Sequence, residues 1–353
     1  MPVPLLDLEP MYAAQRDEIL RATRRVFDAQ QFILGTEVSA FEEELAEWLG
    51  VEHVVGVANG SDALVVALRA LGVGPGDEVI CPAFTFTSTA TSVALVGATP
   101  VLADVLDADQ LVDLDEVIGR LSSRTRAVIP VHLYGRPVDI PSLRRRLDAA
   151  GRDDVAIIED AAQALGARWD GAQVGTMGDV GCFSFFPTKN LGGFGDGGAV
   201  SARCPKLASR IRSLRQHGAT KKYWVEHIGQ NSRLDALQAA ILRVRLPAVS
   251  AWLEERRAHA GAYDEALRGR FGDELRLPPL DRAPAWWAVN QYTIATPRRD
   301  ELQAFLSERG IGSAVYYPTT IAEQPCFANQ GWDPSDWPRA TRATREVLSL
   351  PAY

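Results

Sequence analysis

Lys189 lies in the run CFSFFPTKNLGGFGDGGAV, residues 182–200, between an apolar stretch and a chain of glycines. Phe183, Phe185, Phe186 and Pro187 wall it on one side. Gly192, Gly193, Gly195, Gly197 and Gly198 open the other side to close backbone approach. Desolvation disfavours the ammonium form of a lysine, and the neutral amine is the form that attacks a carbonyl to make a Schiff base. The plain alternative is a lysine whose stem lies along a strand while its head stays in water. Glu159-Asp160 close the apolar run VAIIED. A carboxylate at a buried strand end needs a partner, either a protonated ring nitrogen of a cofactor or an arginine elsewhere in the chain. Gln163, three residues on, can reach the same ring.

Two more stretches suit the same kind of ligand. Asn59-Gly60-Ser61-Asp62 stands between a buried strand and a helix, where free backbone N–H groups, the helix dipole and the Ser61 hydroxyl favour a phosphate. An ordinary helix N-cap is the competing account. Phe86, in CPAFTFTST, lies just past a strand end, where its face could stack on a planar group or fill core. Gly193, Gly195 and Gly198 match GxGxxG, but they run into the strand-like AVSA and follow Lys189, so the dinucleotide fingerprint is rejected.

These residues need a scaffold, and the pattern supplies one. HVVGVA, EVICPA, TPVLADV, RAVIPVHLYG and VAIIEDA read as short buried strands alternating with helical segments. That alternation predicts a mainly parallel sheet covered on both faces, with ligands at the carboxyl ends of its strands. Asn59, Phe84, His132, Asp160 and the Lys189 loop all fall at such ends. Two helices are expected before the first strand, one over residues 10–30 and one in the stretch that starts at Gly35 and is ended by Gly50. DVGCFSFFP and GGAVSA continue the sheet. The segment from Asn231 to Arg270 reads as mostly helical, with a kink or break expected at Pro247. Beyond a proline-rich connector (DELRLPPLDRAPAWW), NQYTIATP reads as an antiparallel strand and GSAVYYP as another. We therefore expect a large α/β unit over residues 1–240 and a smaller α+β unit over 241–353.

Composition narrows the function classes. The 353 residues are 46% hydrophobic and 23% charged, with a net charge of −8, which disfavours nucleic acid as a partner. The four cysteines show no CxxC pairing and no neighbouring histidines, so no metal site and reduced thiols are expected. The N-terminus lacks a basic region, and no window holds enough apolar residues to span a membrane; the expected location is the cytoplasm.

Taken together, FILGTEVSAFEEELAEWLG, ANGSDAL, GVGPGDEVICPAFTFTSTA, PVHLYG, EDAAQALGA, FSFFPTKNLGGFGDGGAV and NSRLDALQAAIL occur in the order seen in one family. The chain resembles the DegT/DnrJ/EryC1/StrS nucleotide-sugar aminotransferases, pyridoxal-phosphate enzymes of the aspartate aminotransferase type I fold. The resemblance covers essentially the whole chain. It implies that Lys189 is the Schiff-base lysine and proton carrier, that Asp160 pairs with the protonated pyridine nitrogen, and that Gln163 meets the phenolic oxygen. It places Phe86 on the ring and Gly60, Ser61 and Ser184 on the phosphate. It also implies that Asn231 reaches the phosphate from a neighbouring subunit of a homodimer, and that Arg233 serves an acid group of donor or sugar. The expected reaction moves an amino group from an amino acid, L-glutamate first, to a 3-keto nucleotide-linked deoxy sugar in amino-sugar biosynthesis. A 4-keto acceptor or glutamine donor is the less favoured variant.

The chain departs from the family pattern in two places. Members often read HYPxPxHxQP where this chain has YYPTTIAEQP, so Tyr316 and Ala322 replace histidines beside Tyr317 in the region that faces the sugar. Relatives also run on into another helix past the point where LSLPAY ends this sequence. Three rival readings remain: a sugar dehydratase of the same family, which typically has histidine in place of Lys189; an aminotransferase for a cyclitol ketone; and a non-catalytic regulatory relative.

Overall fold

The computed structural model describes residues 2–280 and 283–353; residues 281 and 282, inside the proline-rich connector, lie outside it. Apolar, β-branched runs form the strands of one seven-stranded sheet: β1 (Val54–Val57), β2 (Glu78–Pro82), β3 (Thr99–Ala103), β4 (Thr125–Val128), β5 (Ala156–Asp160), β6 (Val180–Ser184) and β7 (Gly198–Ala202). Their order across the sheet is β1-β7-β6-β5-β4-β2-β3. From β6 to β3 every neighbouring pair is parallel, and β7 runs antiparallel to both β6 and β1. All five residues of β2 and of β7 are buried, as a sheet covered on both faces requires. This is the mainly parallel α/β architecture expected from the sequence.

Helices Glu9–Ala29 and Thr36–Leu49 precede the sheet and pack on helix Ala236–Arg245. Gly50 closes the second of them in the left-handed conformation. Pro247 breaks the later helical stretch as expected: a single 3-10 turn, Leu246–Ala248, separates Ala236–Arg245 from Val249–Leu267. One apolar cluster fills the sheet and takes in Ile321, Phe327, Trp337 and Ala340 from the C-terminal part of the chain. A separate cluster gathers Ala260, Trp287, Tyr292, Ile294, Leu348 and Leu350.

Two expected strands need correction. RAVIPVHLYG is a continuous strand only over Thr125–Val128; Pro130 carries no N–H, Val131 adds one isolated parallel bridge to Asp160, and Leu133–Gly135 fold into a 3-10 turn. GSAVYYP makes one antiparallel bridge, Ala314 to Ser349, and no strand. The strand Tyr292–Ala295 pairs instead with Val347–Leu350. Freed from the ladder, the Tyr316 carbonyl accepts a hydrogen bond from the Tyr134 hydroxyl.

Candidate active site

The carboxyl ends of β2, β5 and β6 open into a cavity of about 470 Å³. Gly60, Ser61, Phe86, Asp160, Gln163, Ser184, Lys189, Tyr316 and Tyr317 all line it. Phe84 and His132, expected at the same strand ends, are fully buried and lie outside that lining.

One end of the cavity is made of helix starts. Helix Gly60–Ala70 begins directly after β1, and the Asn59 side chain caps it by accepting a hydrogen bond from Asp62 N at 2.8 Å. A Cβ on residue 60 would stand 2.7 Å from the Ser184 Cβ, so only glycine lets the helix start this close to β6. Helix Ser88–Leu95 starts beside it, and the Ser61 and Ser88 hydroxyls are 2.6 Å apart. Two helix N-termini, with unpaired N–H groups and the Ser61, Ser88 and Ser184 hydroxyls, form a cup for a phosphate.

The middle of the cavity carries the titratable groups. Asp160 is 6% exposed; its Oδ2 accepts from Thr89 Oγ1 at 3.0 Å and its Oδ1 from Ala162 N at 3.2 Å. Burial pushes its pKa up, opposed by those two hydrogen bonds and by the charge of Lys189. Burial likewise brings the Lys189 amine down to about 8, with the Asp160 charge pulling the other way. At pH 7 about a tenth of Lys189 is therefore the reactive free amine, far more than for an ordinary lysine. Gln163 Oε1 accepts from Tyr134 N at 2.7 Å, which leaves Nε2 as the donor toward the Tyr317 hydroxyl, at 2.9 Å. Phe86 is 54% exposed, and its ring lies 5.9 Å from that of Tyr317. An aromatic face this open is a stacking platform, and the core account of Phe86 fails. Desolvation raises the Tyr317 hydroxyl well above the usual phenol range.

Asn231 and Arg233 are not in this cavity. Asn231 is exposed and bridged to Gln216, while Arg233 is partly buried with its Nε unpartnered. Ser88, Thr89 and Gln291 are site neighbours that the sequence reading missed. The run FTFTST offered a faint signal in its threonines four apart; Thr85, in the bend before the helix, meets Thr89 in its first turn at 3.3 Å. Among the described residues, no group of three His, Cys, Asp or Glu side chains could hold a metal ion, and no helix is long and apolar enough to cross a membrane.

These residues fit pyridoxal phosphate. The helix-start cup suits the phosphate, the exposed Phe86 face suits the ring, and the underpaired Asp160 carboxyl suits a protonated ring nitrogen. The Gln163 amide suits the phenolic oxygen, and Lys189 suits the aldehyde carbon.

Comparison with known proteins points the same way. A model of the DegT/DnrJ/EryC1/StrS aminotransferase family matches residues 13–353. The chain is 44% identical over 353 residues to a "Pleiotropic regulatory protein" of Geobacillus stearothermophilus, covering 100% of this chain and 94% of that one. It is also 44% identical over 353 residues to the UDP-N-acetyl-3-dehydro-alpha-D-glucosamine 3-aminotransferase of Acidithiobacillus ferrooxidans, covering 99% and 93%. The crystal structure of DesV from S. venezuelae with a ketimine intermediate superposes with a TM-score of 0.95 at 43% identity, covering 99% and 93%. The chain belongs to the DegT/DnrJ/EryC1/StrS aminotransferase family; it is a pyridoxal-phosphate-dependent aminotransferase of fold type I.

Proposed function

We propose that this aminotransferase moves the amino group of L-glutamate to the 3-keto group of a nucleotide-linked deoxy sugar, working as a cytoplasmic homodimer. The observation that carries the reading is the meeting of Lys189, Asp160 and Gln163 in one cavity, with burial holding Lys189 at about 8. The 3-keto choice is supported by the Acidithiobacillus relative, whose name specifies a 3-dehydro sugar.

When bound, pyridoxal phosphate supplies an electron sink for the carbon that loses its proton. Asp160 holds a proton at the ring nitrogen, which keeps that sink effective. Lys189 Nζ would be the nucleophile that holds the cofactor's carbonyl carbon and, once displaced by the donor, would take the proton from the donor's α-carbon and deliver it across the intervening nitrogen to that same former carbonyl carbon. The Gln163 Nε2 donor orients the phenolic oxygen, and Phe86 fixes the ring plane. The helix-start cup anchors the phosphate throughout. Tyr316 and Tyr317 wall the end assigned to the sugar.

A homodimer is supported by apolar side chains left open on one hairpin, Ala219–Lys221 with Trp224–Val225. Tyr223 and Ile228 are about nine-tenths exposed there, close in sequence to Asn231 and Arg233. We assign Asn231 to the phosphate of the neighbouring subunit and Arg233 to an acid group of donor or sugar. We also keep the division into units 1–240 and 241–353, which the separate apolar cluster around Trp287 and Tyr292 supports.

The test is to incubate holoenzyme and glutamate with a panel of 3-keto and 4-keto nucleotide sugars and weigh the products. A mass change matching amination of a 3-keto sugar is expected. Conversion of the cofactor by glutamate with no sugar turned over would remove the nucleotide-sugar assignment and favour a cyclitol ketone. A regulatory role is suggested by the name of the Geobacillus relative. The intact Lys189–Asp160 pair opposes it, as Lys189 itself opposes a dehydratase. A visible absorbance band of the bound cofactor that disappears in Lys189→Ala decides against the regulatory reading.

A further inference from the structure

Tyr134 is fully buried, yet it is bonded to three separate segments that reach the cavity. Its N–H donates to Gln163 Oε1 at 2.7 Å. Its carbonyl accepts from Trp287 Nε1 at 2.8 Å and from Asn290 N at 3.1 Å, just before Gln291, which lines the cavity. Its hydroxyl donates to the Tyr316 carbonyl. The residue holds a left-handed backbone, φ 61°, which a bulky side chain seldom adopts and which persists only where the surroundings over-determine it. Gly135 beside it, at φ 91°, has no room for a side chain, because a Cβ would stand 2.0 Å from the Ala288 carbonyl oxygen.

The two ends of Tyr134 therefore act on different halves of the site. The backbone N–H occupies the Gln163 carbonyl oxygen, so the amide can turn only its NH2 toward the cavity. The hydroxyl pins the Tyr316–Tyr317 segment. We propose that Tyr134 is a positioning residue: its amide sets the Gln163 donor that faces the cofactor, and its hydroxyl holds the Tyr316–Tyr317 wall that faces the acceptor. This rests on the aminotransferase reading above.

Tyr134→Phe removes only the second function. In that holoenzyme the KM for the keto sugar should rise about tenfold, the scale of a buried acceptor left unpaired, while glutamate converts the cofactor at a rate within about twofold of normal. Hydrogen–deuterium exchange should quicken over residues 314–320 and stay unchanged over 161–163. A purely structural role would lower both half-reactions together. That outcome, or unchanged exchange over 314–320, overturns the inference. The exchange readout needs no substrate. If every keto sugar is ignored but exchange still quickens, the positioning role stands and the function proposed above falls. Should Tyr134→Phe fail to fold, exchange at the Tyr134 amide keeps the inference testable. That amide, bonded to Gln163 Oε1, should be protected in the unaltered chain and should exchange faster in Gln163→Ala, with exchange over residues 314–320 unchanged. An amide that exchanges equally in both proteins overturns the inference.

Discussion

Glu159 and Asp160 are neighbours at the end of β5, both buried, and they face opposite sides of the sheet with opposite fates. Glu159 accepts four hydrogen bonds: from the backbone N–H of Gly175, Met177 and Gly178 at 2.8, 2.7 and 2.6 Å, and from His132 Nε2 at 3.0 Å. The His132 tautomer is set by its other nitrogen, which accepts from Val138 N at 2.9 Å. Asp160 has only the Thr89 hydroxyl and Ala162 N, and burial drives its pKa up. A saturated buried carboxylate ties loops together. An unsaturated one at a cavity wall keeps its remaining capacity for a cationic ligand.

The contrast can be broken by substitution. The largest effect lies beside Asp160: Lys189→Ala removes both nucleophile and proton carrier, and turnover should fall about ten-thousand-fold, with the visible absorbance of the bound cofactor lost. Asp160→Asn should lower kcat by about a hundredfold to a thousandfold while the melting temperature holds, measured by steady-state rates and calorimetry. Glu159→Gln should do the reverse. It turns an NH2 toward donors, which costs about 3 kcal/mol of stability in denaturant titration, with kcat per folded molecule nearly unchanged. A Glu159→Gln enzyme that stays stable but inactive would erase the distinction between the two carboxylates.

The smallest effect is in pH. Only the free Lys189 amine captures an aldehyde, and the amine sits at about 8, so the rate of cofactor capture should climb as pH rises through about 8. Below that midpoint it should drop about tenfold per unit. The Asp160 charge raises the Lys189 value, so Asp160→Asn should move the midpoint to lower pH. Stopped-flow absorbance of the apoenzyme mixed with cofactor reads both.

The sheet was legible because its strands are short apolar runs with helices between them. Lys189, Asp160 and Gln163 were legible because each sits within a few residues of such a strand end. The C-terminal pairing was not. GSAVYYP and VLSL are similar in apolar character, and nothing local in the first marks that it meets the second at one bridge while its Tyr316 carbonyl takes a bond from Tyr134, 182 residues away. Thr89 escaped notice for a similar reason. A threonine in a short helix has no local mark of its bond to a carboxylate 71 residues on. His132 falls at a strand's carboxyl end in the sequence, yet its role is fixed by Glu159 on the far side of the sheet.

The close seating of Gly60 against Ser184 has a practical side. The phosphate cup is assembled from two helix starts and one strand end, all anchored on the central sheet, so it exists before any sugar or donor arrives. Sulfate or phosphate buffers offer the same anion to the same N–H groups, and they should slow reloading of stripped enzyme. Pyridoxal, which lacks the anion, should load poorly in any buffer. Apoenzyme is therefore best prepared and stored without either salt.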